Sequence, residues 1–123
     1  MKLQESGEMY LETILILSQE SDSLRAVDVA KHMGITKASV SRAVHMLQDD
    51  GYLMQDANKY LTLSDVGKAY AQKIYDRHII LEAFLKAIGV SDSVASEDAC
   101  KLEHYMSDES FQALRSHLGK ITA

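Results

Sequence analysis

A chain of 123 residues, 46% hydrophobic and 25% charged, can bury roughly two thirds of its unfolded surface in one domain or two small ones sharing a core, and such a composition excludes disorder. Six Gly and no Pro disfavour a turn-rich all-β fold and favour long helices, and a single Cys forms no intrachain disulfide, so the chain reads as cytoplasmic. The net charge of −5 is uneven: residues 1–24 carry one basic and five acidic side chains, residues 25–62 five and four, residues 63–123 seven and nine. Only the middle third could face a polyanion, because nucleic-acid affinity comes largely from cationic side chains. The longest apolar run, Ile14 to Leu17, is too short to span a bilayer. The opening Met1-Lys2-Leu3-Gln4-Glu5 lacks a signal-peptide pattern, so no membrane partner is expected.

In chain order, residues 5–20 predict a first helix, with Met9, Tyr10, Leu11, Ile14, Leu15 and Leu17 giving it a broad apolar face. Polar residues 18–23 break that pattern. A short helix follows from Ala26 to Met33, ended by Gly34 at a position where left-handed backbone is cheap. Thr36 is a good N-cap for a third helix reaching Asp49, which buries Val40, Val44 and Leu47 and ends at Gly51. Two helices joined by a four-residue turn have the spacing of a helix-turn-helix. Residues 52–55 and 60–63 read as two short strands around the polar tip Asp56-Ala57-Asn58-Lys59. A hairpin in that place is a wing. Ser64 then caps a long helix to Ile88, with Gly89 behind it, followed by a helix over residues 93–106 and a last one starting at Ser107-Asp108-Glu109. These final helices are too short and semi-apolar to bury themselves, so a dimer interface is their expected home. The fold expected is mainly α with a small β-hairpin: a winged helix-turn-helix over residues 1–63 and a helical dimerisation domain over residues 64–123.

Two groups of residues carry chemistry. On a helix, Cys100, Glu103 and His104 share one face at i, i+3 and i+4, bringing thiolate, carboxylate and imidazole toward one point. Such mixed sites suit Fe(II), Zn(II), Co(II) or Ni(II) better than Ca or Mg. Alone, the triplet is weak evidence, because Glu and His on a helix are usually solvated and a single Cys is usually a small buried hydrophobe. His78 and Glu82 at i, i+4 and Met9 and Glu12 at i, i+3 offer further donors, or an ordinary surface ion pair and core packing. In the other group, Thr36, Lys37, Ser39, Ser41 and Arg42 lie in the first turns of the recognition helix. Small hydroxyls allow close approach to a groove, Arg42 could read a guanine edge, and Lys37 and the wing-tip Lys59 could meet phosphate.

Several stretches together resemble the diphtheria toxin repressor and manganese transport regulator family. They are Ser6-Gly7-Glu8-Met9-Tyr10-Leu11-Glu12; Val27-Asp28-Val29-Ala30 through Ser39-Val40-Ser41-Arg42-Ala43-Val44 to Gly51-Tyr52-Leu53; Leu63-Ser64-Asp65-Val66-Gly67; Arg77-His78 with Glu82; and the run from Asp98 to Glu109. The resemblance spans nearly the whole chain, and the last run is its most specific part.

The resemblance implies a winged-helix half, a helical dimerisation half and a divalent metal as corepressor of operator binding, controlling metal-uptake genes. It places Met9, Cys100, Glu103 and His104 in the primary site of the iron-responsive branch. His78 and Glu82 match two ligands of that branch's ancillary site, and Glu12 and His78 match ligands of the manganese-responsive branch. The third ancillary histidine falls on Ser96. The iron branch continues into a small β-barrel beyond the point where this sequence stops, so the resemblance is to the short architecture with the softer ligand set. Thioether and thiolate favour Fe(II) over Mn(II), with Mn(II) as the alternative and Zn(II), Co(II) or Ni(II) as activators in vitro. Expected partners are double-stranded operator DNA and a second copy of the chain. No general base with an open metal position stands out, so neither an enzyme nor a small-molecule substrate is expected. The rival reading keeps the winged helix and makes Cys100 a redox or small-molecule sensor independent of metal.

Overall fold

The computed structural model describes residues 3–121, which form six helices and one two-stranded antiparallel hairpin. The elements are α1 (Glu5–Ser18), α2 (Ala26–Met33), α3 (Lys37–Asp49), β1 (Leu53–Gln55), β2 (Leu61–Leu63), α4 (Asp65–Ala87), α5 (Asp92–Leu102) and α6 (Asp108–Ile121). The expected mainly α architecture with a small hairpin is the one observed. The chain divides into two compact units between Gln72 and Lys73. Among the described residues no helix is long and apolar enough to cross a membrane.

In the first unit, Leu11, Ile14 and Leu15 of α1, Val29 and Ala30 of α2, and Val40, Val44 and Leu47 of α3 are buried together with Leu53 and Leu61 of the hairpin. The α2–α3 turn forms as its residues dictate. Gly34 adopts φ 68°, and the Ile35 amide behind it closes on the Ala30 carbonyl at 3.1 Å. Thr36 Oγ1 then accepts from the Ser39 amide at 3.2 Å, capping α3. Each strand is one residue shorter than the sequence predicts. The Tyr52 amide is taken by the Leu47 carbonyl at the end of α3, and the Tyr60 amide by Asp56 Oδ1 at 2.9 Å, so neither can join the ladder. The register pairs Leu53 with Leu63 and Gln55 with Leu61. The Leu61 amide donates outward to Leu24 at 2.7 Å, and the Arg25 guanidinium lies 4.8 Å over the Tyr60 ring.

Ser64 links the hairpin to α4. Its hydroxyl accepts from the Gly67 amide at 3.0 Å and donates to the Gly51 carbonyl at 2.6 Å, while its own amide donates to Tyr52 at 3.0 Å. One turn on, the Tyr70 hydroxyl donates to Glu8 Oε2 at 2.6 Å and accepts from the Leu3 amide at 3.0 Å. Burial, then the hydrogen bond to the Glu8 carboxylate, pushes the Tyr70 phenol up to about 12. A raised phenol favours the folded state fully below the ordinary tyrosine value near 10, and the benefit disappears as pH rises toward about 12. The stability difference between the parent and Tyr70→Phe should therefore stay constant up to about pH 10 and shrink above it. Urea melts across pH 8–12 check this. A constant difference throughout would mean the phenol is not held by these contacts.

The second unit packs around Leu81, Ala99 and Phe111, with Ile80, Met106 and Leu114 partly buried against them. One expectation is corrected here: α5 ends at Leu102, not Met106. The amides of both Tyr105 and Met106 return to the Leu102 carbonyl at 3.1 Å, which tightens the chain into a turn. Arg77 Nη1 donates to the carbonyls of Glu103 and Met106 within this turn. The Ser107 hydroxyl then accepts from the Ser110 amide at 3.1 Å and starts α6.

Candidate metal centre and nucleic-acid face

Four of the donors singled out in the sequence meet in the second unit. Glu103 stands at the C-cap of α5, where its backbone stays helical (φ −59°, ψ −25°), and only 1% of it is exposed. Its Oε2 lies 3.0 Å from His78 Nδ1 on α4, and its Oε1 lies 3.3 Å from His104 Nε2. His78 Nε2 in turn lies 3.3 Å from Glu82 Oε2, whose other oxygen pairs with Lys86 at 3.3 Å. The i, i+4 face argument for His104 fails, because His104 sits in the turn beyond α5. The turn brings its imidazole to Glu103 instead.

Carboxylate and imidazole are donor types that ligate divalent cations. A buried carboxylate oxygen ordinarily accepts a hydrogen bond, yet Glu103 Oε1 accepts none among the described residues. Two ligands each about 2.1 Å from one ion stand roughly 3.0–3.4 Å apart at octahedral to tetrahedral angles, and 3.3 Å separates Glu103 Oε1 from His104 Nε2. Among the described residues no three His, Cys, Asp or Glu side chains are grouped to hold an ion. Cys100 is half-buried on α5, and Met9 and Glu12 are half-buried one turn apart on α1 of the first unit.

Sequence reasoning quoted Arg77 only within the resemblance and gave it no role of its own, yet it is 8% exposed. Its Nη1 donates to Met106 O at 2.6 Å and Glu103 O at 3.3 Å, its Nη2 donates to Asp108 Oδ1 at 2.7 Å, and its guanidinium stacks 5.1 Å over Phe111. Arg77, then Lys73, holds the Asp108 carboxyl below the usual carboxylate range. A clue from periodicity was an Arg in register with Ile74 and Leu81 on the buried stripe of α4.

In the first unit, Thr36, Lys37, Ser41, Arg42 and Lys59 are all exposed, and Ser39 is half-buried. Thr36 and Ser39 are engaged with each other through the cap, and Arg42 Nη2 donates to Ser39 Oγ at 3.3 Å. Between α3 and the hairpin lies an open cleft of about 660 Å³, lined by Arg25, Lys37, Ser41, Gln48, Asn58 and Lys59. Three cations, Arg25, Lys37 and Lys59, thus line one cleft. Arg25, Gln48 and Asn58 had not been singled out; the sequence clue for Arg25 was a cation immediately before a helix start. Lys59 holds φ 65° at the wing tip, where Asn or Gly is usual.

Comparison with known proteins extends this picture. Residues 2–61 match the family described as iron dependent repressor, N-terminal DNA binding domain, and residues 64–123 match iron dependent repressor, metal binding and dimerisation domain. An uncharacterized HTH-type transcriptional regulator of Methanocaldococcus jannaschii is 32% identical over 97% of both chains. The chain belongs to the iron-dependent repressor family. Members of this family are metal-dependent transcriptional repressors that bind operator DNA and dimerise. HTH-type transcriptional regulator MntR of Geobacillus thermodenitrificans is 35% identical over 83% of this chain and 72% of its own. Among solved structures, the metal-dependent transcriptional regulator MtsR superposes with a TM-score of 0.85 at 26% identity, over 92% of this chain and 53% of that one. A manganese-dependent transcriptional repressor in complex with manganese gives 0.82 at 26% identity, over 92% and 52%. The chain thus spans about half the length of those two structures.

Proposed function

We propose that this iron-dependent repressor family member is a metal-activated repressor that binds operator DNA as a homodimer in the cytoplasm, with Fe(II) as corepressor and metal-uptake genes as targets. The observation that carries the reading is the Glu103 carboxylate. It is buried, one oxygen accepts no hydrogen bond among the described residues, and that oxygen lies 3.3 Å from an imidazole in the metal binding and dimerisation region.

The proposed ligands of the activating ion are Met9, Cys100, Glu103 and His104, with Glu12, His78 and Glu82 for a second ion. The ion supplies positive charge and a fixed coordination geometry. Met9 belongs to the DNA-binding domain, residues 1–63, and the other three primary ligands to the dimerisation domain, residues 64–123. Shared ligation by the two sets couples the domains, and in a dimer the recognition helices must meet half-sites about one helical turn apart. By linkage, DNA tightens metal binding as much as metal tightens DNA binding. Lys37 and Lys59 meet phosphate and Arg42 a base edge, with Thr36, Ser39 and Ser41 shaping close approach. Exposed apolar side chains of residues 73–123, among them Ile79, Ile88, Val94 and Tyr105, support a second copy as partner.

Met9 and Cys100 are soft donors and favour Fe(II). A specific observation favours Mn(II) as the second reading: the donors in contact, Glu103, His78, His104 and Glu82, are all oxygen and nitrogen. An anaerobic gel shift on the DNA upstream of the chain's own gene, with chelator, Fe(II) or Mn(II), tests the proposal. Chelator should abolish binding and Fe(II) should restore it at lower free concentration than Mn(II), with Cys100→Ala erasing that preference. A stronger Mn(II) response would move the assignment to manganese. Binding indifferent to chelator would end the corepressor reading.

A further inference from the structure

We propose that Arg77 is a positioning residue for the metal centre: its guanidinium holds the turn over residues 103–108 in the shape that presents the Glu103 carboxylate and the His104 imidazole. The inference rests on the metal-centre reading above and assigns a role to a residue that is not itself a ligand.

The argument begins with the end of α5. A helix C-terminus leaves carbonyls without amide partners, and burying them costs free energy unless a donor arrives. Arg77 supplies a donor to the C-cap carbonyl, Glu103 O, at 3.3 Å, and from the same nitrogen to Met106 O in the turn beyond, at 2.6 Å. Its second nitrogen fixes the far end of the turn through Asp108 at 2.7 Å, and Phe111 supports the guanidinium plane at 5.1 Å. One side chain therefore ties down both ends of a six-residue turn that carries two candidate ligands. The next residue on α4, His78, takes the Glu103 side chain at 3.0 Å. Consecutive positions of one helix thus fix the backbone and the carboxylate of the same residue.

Stability alone is a poor reason for this arrangement. Arg77 is 8% exposed, and buried charge networks are often no more stabilising than apolar packing of equal volume. What a guanidinium supplies here is direction, since its planar fork sends donors to two sides at once. A Lys ammonium keeps the charge and the stem but lacks that fork. Partners that orient a metal ligand without touching the metal typically contribute 10–100-fold to metal affinity.

The test is an anaerobic Co(II) titration of the full chain without DNA, read in the visible ligand-field bands, for the parent, Arg77→Lys and Glu103→Ala. Metal-free melting by circular dichroism runs alongside. The expected result is that Arg77→Lys melts within a few degrees of the parent, binds Co(II) about tenfold or more weakly, and shows altered bands at saturation. A residue needed only for folding would lower the melting point and leave the saturated spectrum unchanged. Parent-like affinity and spectrum for Arg77→Lys, with binding lost in Glu103→Ala, would overturn the role of Arg77 and leave the metal centre standing. Parent-like binding by Glu103→Ala would overturn the metal-centre reading and this inference with it. Should Arg77→Lys lose its helical dichroism, Asp108→Asn loosens the guanidinium from outside the turn: weaker Co(II) binding supports the role and unchanged binding overturns it.

Discussion

Gly67→Ala should destabilise the first unit by about 2–3 kcal/mol, although Ala is the better helix former by about 1 kcal/mol. Gly67 lies in the first turn of α4, with its Cα facing the backbone of Tyr52. A Cβ built there would sit 1.9 Å from the Tyr52 carbonyl oxygen and 2.8 Å from its carbon. The obstacle is backbone, and it is fixed: the Tyr52 carbonyl accepts from Ser64, whose hydroxyl holds Gly51. Relief requires α4 to back away from the root of the hairpin, and overpacking of this kind outweighs the propensity gain. The expected fall in Tm is roughly 10 °C, with weaker DNA binding because Tyr52 leads directly into β1. Gly119→Ala on α6, where nothing lies within 4 Å of the added atom, is the control and should stabilise slightly. Equal melting points for Gly67→Ala and the parent would show that this contact yields without cost.

Glu103→Gln should abolish metal-induced stabilisation while leaving the metal-free protein as stable as the parent or more so. Metal at a hundred times its Kd raises parent stability by about 2.7 kcal/mol. Gln keeps the shape of the side chain and loses the charge that binds a cation, so affinity should fall by at least about a hundredfold, more than for an orienting partner. In the metal-free state, the substitution removes a buried carboxylate that is 1% exposed and has one oxygen without a hydrogen bond among the described residues. The two expected effects differ in sign, which separates a ligand from a structural ion-pair partner of His78 and His104. Differential scanning fluorimetry with chelator and with Mn(II) reads both. A metal-free Glu103→Gln that melts well below the parent and still responds to Mn(II) would identify Glu103 as structural.

What the sequence made legible was local. Gly34, the Thr36 cap and the apolar spacing of Val40, Val44 and Leu47 specify the helix-turn-helix with contacts only a few residues apart, and the observed bounds of α2 and α3 agree. The end of α5 was not legible because no local residue announces it. Residues 103–106 contain no Gly or Pro, and the contact of Arg77 with the carbonyls of Glu103 and Met106 comes from 26 and 29 positions away. Tyr52 and Tyr60 were assigned to strands on β propensity, yet their amides are diverted to Leu47 and Asp56. At the candidate metal centre, residue types nominated the donors, and the meeting of His78 with Glu103, 25 positions apart, needed the tertiary structure. Gly67 looked like one more helix residue, because nothing in its neighbours announces a carbonyl against its Cα.

The attachment of the hairpin has a consequence for recognition. Leu61 is hydrogen-bonded to Leu24, and Tyr60 lies under Arg25, so β2 is fastened to the segment that enters α2. Since α2 packs on α3, the spacing between recognition helix and wing is set before any nucleic acid arrives. A loose hairpin would lose freedom on each encounter, and that loss would be subtracted from affinity. Here the ordering cost is met once, during folding, so the cations proposed to contact phosphate stand on the two walls of the cleft as a preorganised jaw.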